Sequence, residues 1–256
     1  MFTLSCKNNK ITKTKNKKKN KKMKKTLLLI ALIILAISEL IMKIKPEISF
    51  LFYSLLVGSI LIVISKIKGK NIETQKKEIA LASFLLIIPM MRMIELFINF
   101  SFFWRTFIFY NSLLFLVIFY SFKFKIDVGF NTNKLWFLII SMLFGISFGL
   151  AGNILSSFIG IEKHLEIIVF LPLIAFTEEI LFRSLIQNSL EKNYGDLTGI
   201  FVSSLLVLIF TLSYSPWIAL FFFLSSLISS ALYSYSRNIF PSILLNIIIT
   251  LLIFVI

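Results

Sequence analysis

The chain of 256 residues is 58% hydrophobic and contains 29 Phe, and its mean hydropathy is +0.92. A water-soluble domain of this length could not bury so much apolar surface, so the composition excludes a soluble globular protein. The net charge of +15 is concentrated at one end of the chain, which argues against nucleic acid as a partner. Composition therefore predicts an integral membrane protein whose first partner is the lipid bilayer.

The amino-terminal segment is basic and lacks the apolar periodicity of a helix. Residues 1–25 hold 11 Lys and no acidic residue. We expect a disordered tail that keeps the amino terminus in the cytoplasm and contacts anionic lipid. Met23, followed by two Lys and then the apolar run, also fits a start site, and residues 1–22 would then be a start-site artefact.

Apolar stretches long enough to cross about 30 Å of hydrocarbon follow one another along the rest of the chain. The expected fold is all-α, a polytopic transmembrane helical bundle of eight or nine spans in the cell membrane. Lys-rich loops follow the second and fourth spans and place both loops on the cytoplasmic side. The predicted spans are 26–42, 48–65, 79–98, 106–122, 135–158, 167–190, 197–213, 217–235 and 239–256.

Charged residues inside the first spans are few, and each is a candidate for a functional site because charge at membrane depth is costly. Glu39 lies near the end of the first span, and we expect it at the membrane interface. Arg92 and Glu95 lie three residues apart, so they share a helical face and can pair. That pair fits either a structural ion pair or one part of a buried site.

The densest charged cluster is AFTEEILFRS in the sixth span. Glu179 and Arg183 are four residues apart and can pair on a helix, whereas Glu178 points about 100° away and needs a partner elsewhere. A carboxyl group sheltered in a dry pocket can take a proton from water and return it later. The alternative interpretation is a structural salt bridge with a helix–helix contact.

The chain has too few cysteine and histidine residues for a disulfide or a typical zinc site. Cys6 is the only cysteine and His164 the only histidine, so we expect no disulfide, no metal site and no cofactor. We predict that His164, among charged neighbours, is a solvated loop residue.

Small polar residues in the last three spans are expected to allow close helix approach and hydrogen bonds between helices. They include Ser203, Ser204, Ser225, Ser226, Ser229 and Ser230.

The cluster resembles a known motif. EEILFR, residues 178–183, fits EExxxR, the first motif of the CAAX prenyl protease and bacteriocin-processing (CPBP) family of intramembrane endopeptidases, also called the Abi or type II CAAX protease family. The resemblance covers roughly residues 165–250. It divides the chain into amino-terminal transmembrane helices, 26–160, and a CPBP-like core, 161–256, that carries the motifs.

The downstream motifs depart from the family pattern. FTLSY ends in Tyr214, where the family has the histidine of FxxxH. Asn246 stands where the family has the histidine of HxxxN, and Thr250 stands where it has the asparagine. Both motif histidines are therefore missing. A shared site also needs a broken or re-entrant helix, for which Pro172, Pro216 and Pro241 mark candidate positions.

The resemblance implies a role for each matched position. Glu178 would be the general base, and Glu179 and Arg183 would shape the site around it. Tyr214 would replace the histidine that helps to activate water, although a phenol does not accept a proton at neutral pH as imidazole does. The other two positions, Asn246 and Thr250, would still offer donors to an oxyanion.

Three functions stay open on the sequence. The resemblance implies a glutamate-dependent CAAX-type or peptide endoprotease of reduced activity, with prenylated or other membrane-presented peptides as substrates. A noncatalytic pseudoprotease would bind a membrane peptide or partner without cleaving it. A small transporter would use the buried charges for translocation. Whether the chain is an enzyme, and its oligomeric state, are not decided by the sequence.

Overall fold

The computed structural model describes residues 29–42, 44–66, 72–97, 102–125, 128–130, 136–160, 165, 167–212 and 215–255. The basic tail, His164 and Tyr214 lie outside the described residues, so the predictions made for them stay predictions.

The regular structure of the described residues is helical throughout, which confirms the all-α fold. The helices lie close to the predicted spans, although α3 begins at Ile72, ahead of the predicted start at 79. Their bounds are α1 Leu29–Met42, α2 Pro46–Lys66, α3 Ile72–Phe97, α4 Phe102–Phe124, α5 Trp136–Ile159, α6 Ile167–Glu179, α7 Asn188–Tyr194, α8 Asp196–Thr211, α9 Pro216–Ser236 and α10 Phe240–Phe254.

Four of the described helices contain a stretch long and apolar enough to cross a membrane, in α3, α4, α5 and α9. The helices α1, α2, α8 and α10 hold shorter apolar stretches. Large apolar side chains also cover much of the exposed surface, as expected where lipid replaces water. The helices thus form the kind of bundle that a membrane protein requires.

The charged cluster of Glu178, Glu179 and Arg183 lies on a helical course, by which we mean three helical segments that follow one another without a break. The helix α6 runs directly into a π-helical segment, Ile180–Gln187, which passes into α7. A π-helix has wider turns than an α-helix and is frequently found at functional sites. Pro172 lies inside α6 without interrupting it, so no break occurs there. Pro216 and Pro241 instead stand in the first turns of α9 and α10.

Small residues bring α5 against α10. Ser141, Gly145, Gly149, Gly152 and Ser156 form the buried side of α5. A Cβ added at Gly152 would lie 2.7 Å from a carbon of Ile253 and 2.8 Å from one of Phe221. A side chain at position 152 would therefore require Ile253 and Phe221 to shift, as at small-residue interfaces between membrane helices. The contact fixes α10, which carries Asn246 and Thr250.

Residues 128–130, which lie between α4 and α5 in the chain, form hydrogen bonds both to the π-helical segment and to the residue that precedes α10. Ser184 donates its hydroxyl to the carbonyl of Val128 at 2.6 Å. The carbonyl of Gly129 accepts the backbone N–H of Ile239 at 3.0 Å. Gly129 has a φ of +80° and lies against Tyr233 and the carbonyl of Arg237, so a side chain there would be strained.

Candidate active site

A cavity of about 280 Å³ lies between α4, α6, the π-helical segment, α8, α9 and α10. One part of its wall is polar and holds Glu178, Glu179, Arg183, Asn246 and Thr250. The rest of the wall is mostly apolar. Its larger apolar residues are Ile167, Ile174, Phe182, Val207, Phe210, Ile218, Phe222, Leu245, Ile249 and Phe254.

Glu178 is partly exposed to this cavity, and its partners lie on other helices. Tyr110 of α4 donates its hydroxyl to Oε1 of Glu178 at 2.7 Å. Asn246 of α10 donates its side-chain amide to Oε2 at 3.3 Å. The expectation that Glu178 finds partners outside its own helical turn is confirmed. Three helices thereby fix the orientation of one carboxylate.

Asn246 connects both glutamates of the motif to α10. Its Nδ2 lies 3.3 Å from Oε2 of Glu178 and 3.3 Å from Oε1 of Glu179. Its Oδ1 accepts the hydroxyl of Thr250, one helical turn further on, at 3.1 Å. The predicted replacements for the second histidine and the asparagine thus lie beside the predicted base. Their catalytic roles stay predictions.

Arg183 is 2% exposed, and hydroxyl groups of α9 surround it. Its Nε donates to Oε2 of Glu179 at 3.0 Å, which confirms the predicted pair. The three hydroxyls of Ser226, Ser229 and Ser230 accept from the guanidinium at 3.0, 3.2 and 2.8 Å. A buried charge is tolerated where it is paired and hydrogen-bonded in this way. The interhelical role predicted for these serines is confirmed.

Polar side chains recur every fourth residue along this helical course. Glu179, Arg183, Gln187 and Glu191 are all buried; we call them the polar stripe. In an α-helix each step of four residues overshoots a full turn by about 40°, which would spread the four side chains around the helix. The wider turns of the π-helical segment oppose this drift. The stripe therefore stays on the buried side of the helix, facing α8 and α9.

The last two residues of the polar stripe, Gln187 and Glu191, connect it to the side chain of Arg237. The side-chain amide of Gln187 donates to Glu191 at 2.8 Å and to the carbonyl of Ser230 at 2.9 Å. Arg237, whose side chain is half exposed, donates to Glu191 at 2.5 Å. The contacts through Ser230 join this half of the stripe to Arg183. The buried polar groups thus form one connected set.

A second buried charge cluster lies beside the cavity. Arg92 pairs with Glu95, as predicted, and also with Glu39 at 3.0 Å. Tyr53 donates its hydroxyl to the same oxygen of Glu39 at 2.8 Å. The side chain of Glu39 is fully buried against Arg92, and its expected position at the membrane interface stays a prediction. The sequence of one span could not show that a cation on another helix lies within reach.

Arg92 also contacts the last turn of α8. Its guanidinium donates to the carbonyl of Phe210 and lies 4.1 Å from the centre of that ring. The ring lines the cavity and packs on Phe109 and Phe182. A cation at the last turn of a helix also interacts favourably with the carbonyl groups there. The cluster therefore supports one wall of the cavity.

The chemistry available at the cavity is that of two carboxylates, one guanidinium and several neutral donors. The volume is large enough for water, and the polar groups supply partners for it. Within the described parts of the chain, no group of three His, Cys, Asp or Glu is placed to hold a metal ion. The arrangement can therefore orient a water beside a carboxylate, which is the first requirement of general-base hydrolysis.

Several residues of this arrangement were not predicted. Tyr110 lies far from the motifs in the chain, and a tyrosine in a span is most often an ordinary packing residue. Gln187 and Glu191 continue the four-residue spacing of Glu179 and Arg183. That spacing is a signal that the sequence does contain.

Comparison with known proteins finds a similarity in the carboxyl-terminal part of the chain. Residues 161–252 match the family model described as Rce1-like, Type II CAAX prenyl endopeptidase Rce1-like. Glu178, Asn246 and Thr250 lie within the match, and Tyr110 and Arg92 lie before it. No curated protein and no solved structure matches the chain. The resemblance predicted from the sequence is thus confirmed over residues 161–252, which are similar to the type II CAAX prenyl endopeptidases, and the apolar helices indicate a membrane protein.

Proposed function

We propose that the chain is a membrane-embedded endopeptidase of low turnover, in which Glu178 activates water against a peptide bond. One observation carries the proposal. Glu178 faces a cavity in the helix bundle and is held there by Tyr110 and Asn246, which lie on two other helices. A carboxylate fixed in this way is ready to accept a proton from a water in the cavity. The family match supports the reaction class.

The proposed reaction is general-base hydrolysis. The Glu178 carboxylate takes a proton from water while the water oxygen bonds to the peptide carbonyl carbon. The same proton then passes to the nitrogen as the carbon–nitrogen bond breaks, so the carboxylate is regenerated. Losing one general acid or base typically costs about 100- to 10,000-fold in rate. Low turnover is therefore expected of a chain without the motif histidines.

A noncatalytic binder is the second candidate, and one observation favours it. The amide nitrogen of Asn246 is already shared by Glu178 and Glu179, and its carbonyl accepts from Thr250. The donors proposed for an oxyanion are thus engaged within the site. Hydrolysis requires the amide of Asn246 or the hydroxyl of Thr250 to turn toward the substrate. Binding of a membrane peptide does not require this.

The test is cleavage of a fluorogenic single-span peptide by the purified full chain in liposomes. Glu178→Gln keeps the size of the side chain but replaces one acceptor oxygen with an amide NH2, and it cannot accept the proton. We expect it to lower the cleavage rate by about 100-fold or more. Glu47→Gln is the control, because Glu47 is exposed in the first turn of α2, and we expect it to keep the rate.

The outcomes separate the candidates. Cleavage that survives Glu178→Gln would refute the proposed mechanism. Absence of cleavage by the wild-type chain, together with photocrosslinking of the peptide that is lost in cavity variants, would establish the binder. Peptide-independent ion flux in the same liposomes, sensitive to Glu178→Gln, would instead support the transporter.

A further inference from the structure

We infer the side of the membrane from which the cavity takes its substrate, which rests on the proposed function: the cavity opens toward the noncytoplasmic face, and its substrates are peptide segments presented on that face. Two observations carry this step. The cavity occupies one end of the helix bundle, and most of the positive charges of the linkers between helices lie at the other end.

The cavity reaches the end of the bundle at which several helices begin or finish. Ile167 is the first residue of α6, Thr211 the last of α8 and Phe254 the last of α10, and all three line the cavity. Thr106 and Ile218, near the starts of α4 and α9, line it as well. We call this end of the bundle the cavity end.

The lining residues also show how far the cavity extends. On α8 they begin at Val207, in its last turns, and on α10 they begin at Leu245. On the helical course of the charged cluster they finish at Arg183. Glu178 follows Ile167 by eleven residues, which is about 16 Å along an α-helix. The route from Glu178 along the cavity therefore leads to the cavity end.

The opposite end of the bundle, which we call the loop end, is where residues 128–130 contact the residue before α10 and where Glu191 pairs with Arg237. Because short linkers join successive helices, the linkers alternate between the two ends. The linkers and adjoining helix ends contain ten Lys and Arg at the loop end and four at the cavity end. The ten lie in 66–77, 123–135, 192–195 and 237–239, and the four lie in 43–45, 98–105, 160–166 and 212–215.

This difference in charge predicts the orientation of the bundle. Lys and Arg in short loops are in excess on the cytoplasmic side of membrane proteins, and this excess sets the orientation. The loop end is therefore cytoplasmic, and the cavity end faces the other side. The count leaves out the Lys-rich residues 1–25, so it does not depend on them.

The orientation determines which peptides meet the proposed base. A segment that has crossed the membrane, or that lies in the outer leaflet, can enter between the apolar side chains of the cavity end and reach Glu178. A peptide confined to the cytoplasm meets the loop end instead. The substrate class is thus the noncytoplasmic part of membrane-spanning or exported peptides.

Thiol labelling tests the orientation in intact cells that express the full chain. Cys6→Ser removes the sole cysteine, and one cysteine is then placed at Leu165, before α6, or at Asp196, the first residue of α8. Both positions are exposed, and neither substitution changes a Lys or Arg. We expect a membrane-impermeant maleimide to label Leu165→Cys in intact cells and Asp196→Cys only after permeabilisation. The reverse pattern would overturn the inference.

A third cysteine tests whether the cavity itself is open to that side. Thr211 lines the cavity where α8 ends, so we expect a small charged thiol reagent to modify Thr211→Cys from outside. Protection of this thiol while Leu165→Cys is labelled would show that the cavity is closed to the noncytoplasmic side and would also overturn the inference. If Thr211→Cys does not accumulate, Thr106→Cys, at another lining position, takes its place.

Cleavage of two reporters in the same cells provides the functional test. Both are single-span peptides with the same cleavage sequence, placed at the noncytoplasmic end of the span in one and at the cytoplasmic end in the other. We expect cleavage of the first alone, and its loss in Glu178→Gln. If neither reporter is cleaved while the thiols label as expected, the endopeptidase activity fails and the orientation stands. Cleavage of the cytoplasmic reporter that is lost in Glu178→Gln would overturn the orientation and leave the activity in place.

Discussion

The phenol oxygen of Tyr110 lies 2.7 Å from Oε1 of Glu178. This hydrogen bond joins α4, which precedes residues 161–252 of the family match, to the first glutamate of the EExxxR motif. The orientation of the proposed base therefore depends on a helix that the family match does not include.

Tyr110→Phe removes this hydrogen bond and keeps the ring. A hydrogen bond to a charged group contributes about 1.5–3 kcal/mol, so we expect about a 10- to 100-fold fall in kcat. KM should change little, since the hydroxyl contacts the base rather than the walls that hold the peptide. Steady-state cleavage kinetics in liposomes provide the measurement. Tyr120→Phe, on the same helix and outside the cavity lining, is the control; an equal effect of both variants would contradict the role of Tyr110.

The ion pair between Glu39 and Arg92 predicts a large loss of stability when one partner is removed. Glu39 is 0% and Arg92 1% exposed, so Glu39→Ala takes a carboxylate away from a buried guanidinium. We expect the free energy of unfolding to fall by about 3–5 kcal/mol, measured by denaturant titration in detergent micelles. Glu47→Ala, at an exposed position of α2, should stay within about 0.5 kcal/mol of the wild type. Similar losses of stability in the two variants would contradict a stabilising role of the buried ion pair.

The interface of α5 and α10 predicts opposite effects for two glycine substitutions. Gly152→Ala places a methyl group within 2.8 Å of Ile253 and Phe221, and such overpacking costs about 1–3 kcal/mol. Gly58→Ala lies in α2, where nothing is within 4 Å of the new Cβ. It should instead stabilise the helix by about 0.5–1 kcal/mol. Thermal unfolding in the same micelles compares the two, and a neutral Gly152→Ala would show that α10 can move away from α5.

Much of the fold could be predicted because long apolar stretches have few alternatives in a membrane. The helix positions and the pairs Arg92–Glu95 and Glu179–Arg183 follow from local spacing alone. The pairing of Glu39 could not be predicted in this way, because its partner lies 53 residues away in the chain. Local sequence fixes which face of a helix a residue occupies, but it does not fix which helix packs there.

In the candidate site, too, some residues could be predicted from the sequence and others could not. The convergence of Glu178, Asn246 and Thr250 was expected from the resemblance, and the structure places them around one cavity. Tyr110 was not expected, because nothing in the sequence around it distinguishes it from other aromatic residues of the spans. The π-helical segment was also not predicted, since its residues are ordinary apolar and polar types whose hydrogen-bond register depends on tertiary packing.

The polar stripe limits how the length of this helical course can change. Its four members stay aligned only while their spacing and the wide turns between Ile180 and Gln187 are both kept. A one-residue deletion in that interval would rotate Gln187 and Glu191 by about 100° relative to Arg183 in an α-helix, while Glu178 would still face the cavity. Homologous chains should therefore tolerate substitutions here far better than gaps, and an alignment that requires a gap at this point would mark a protein with a differently organised interior.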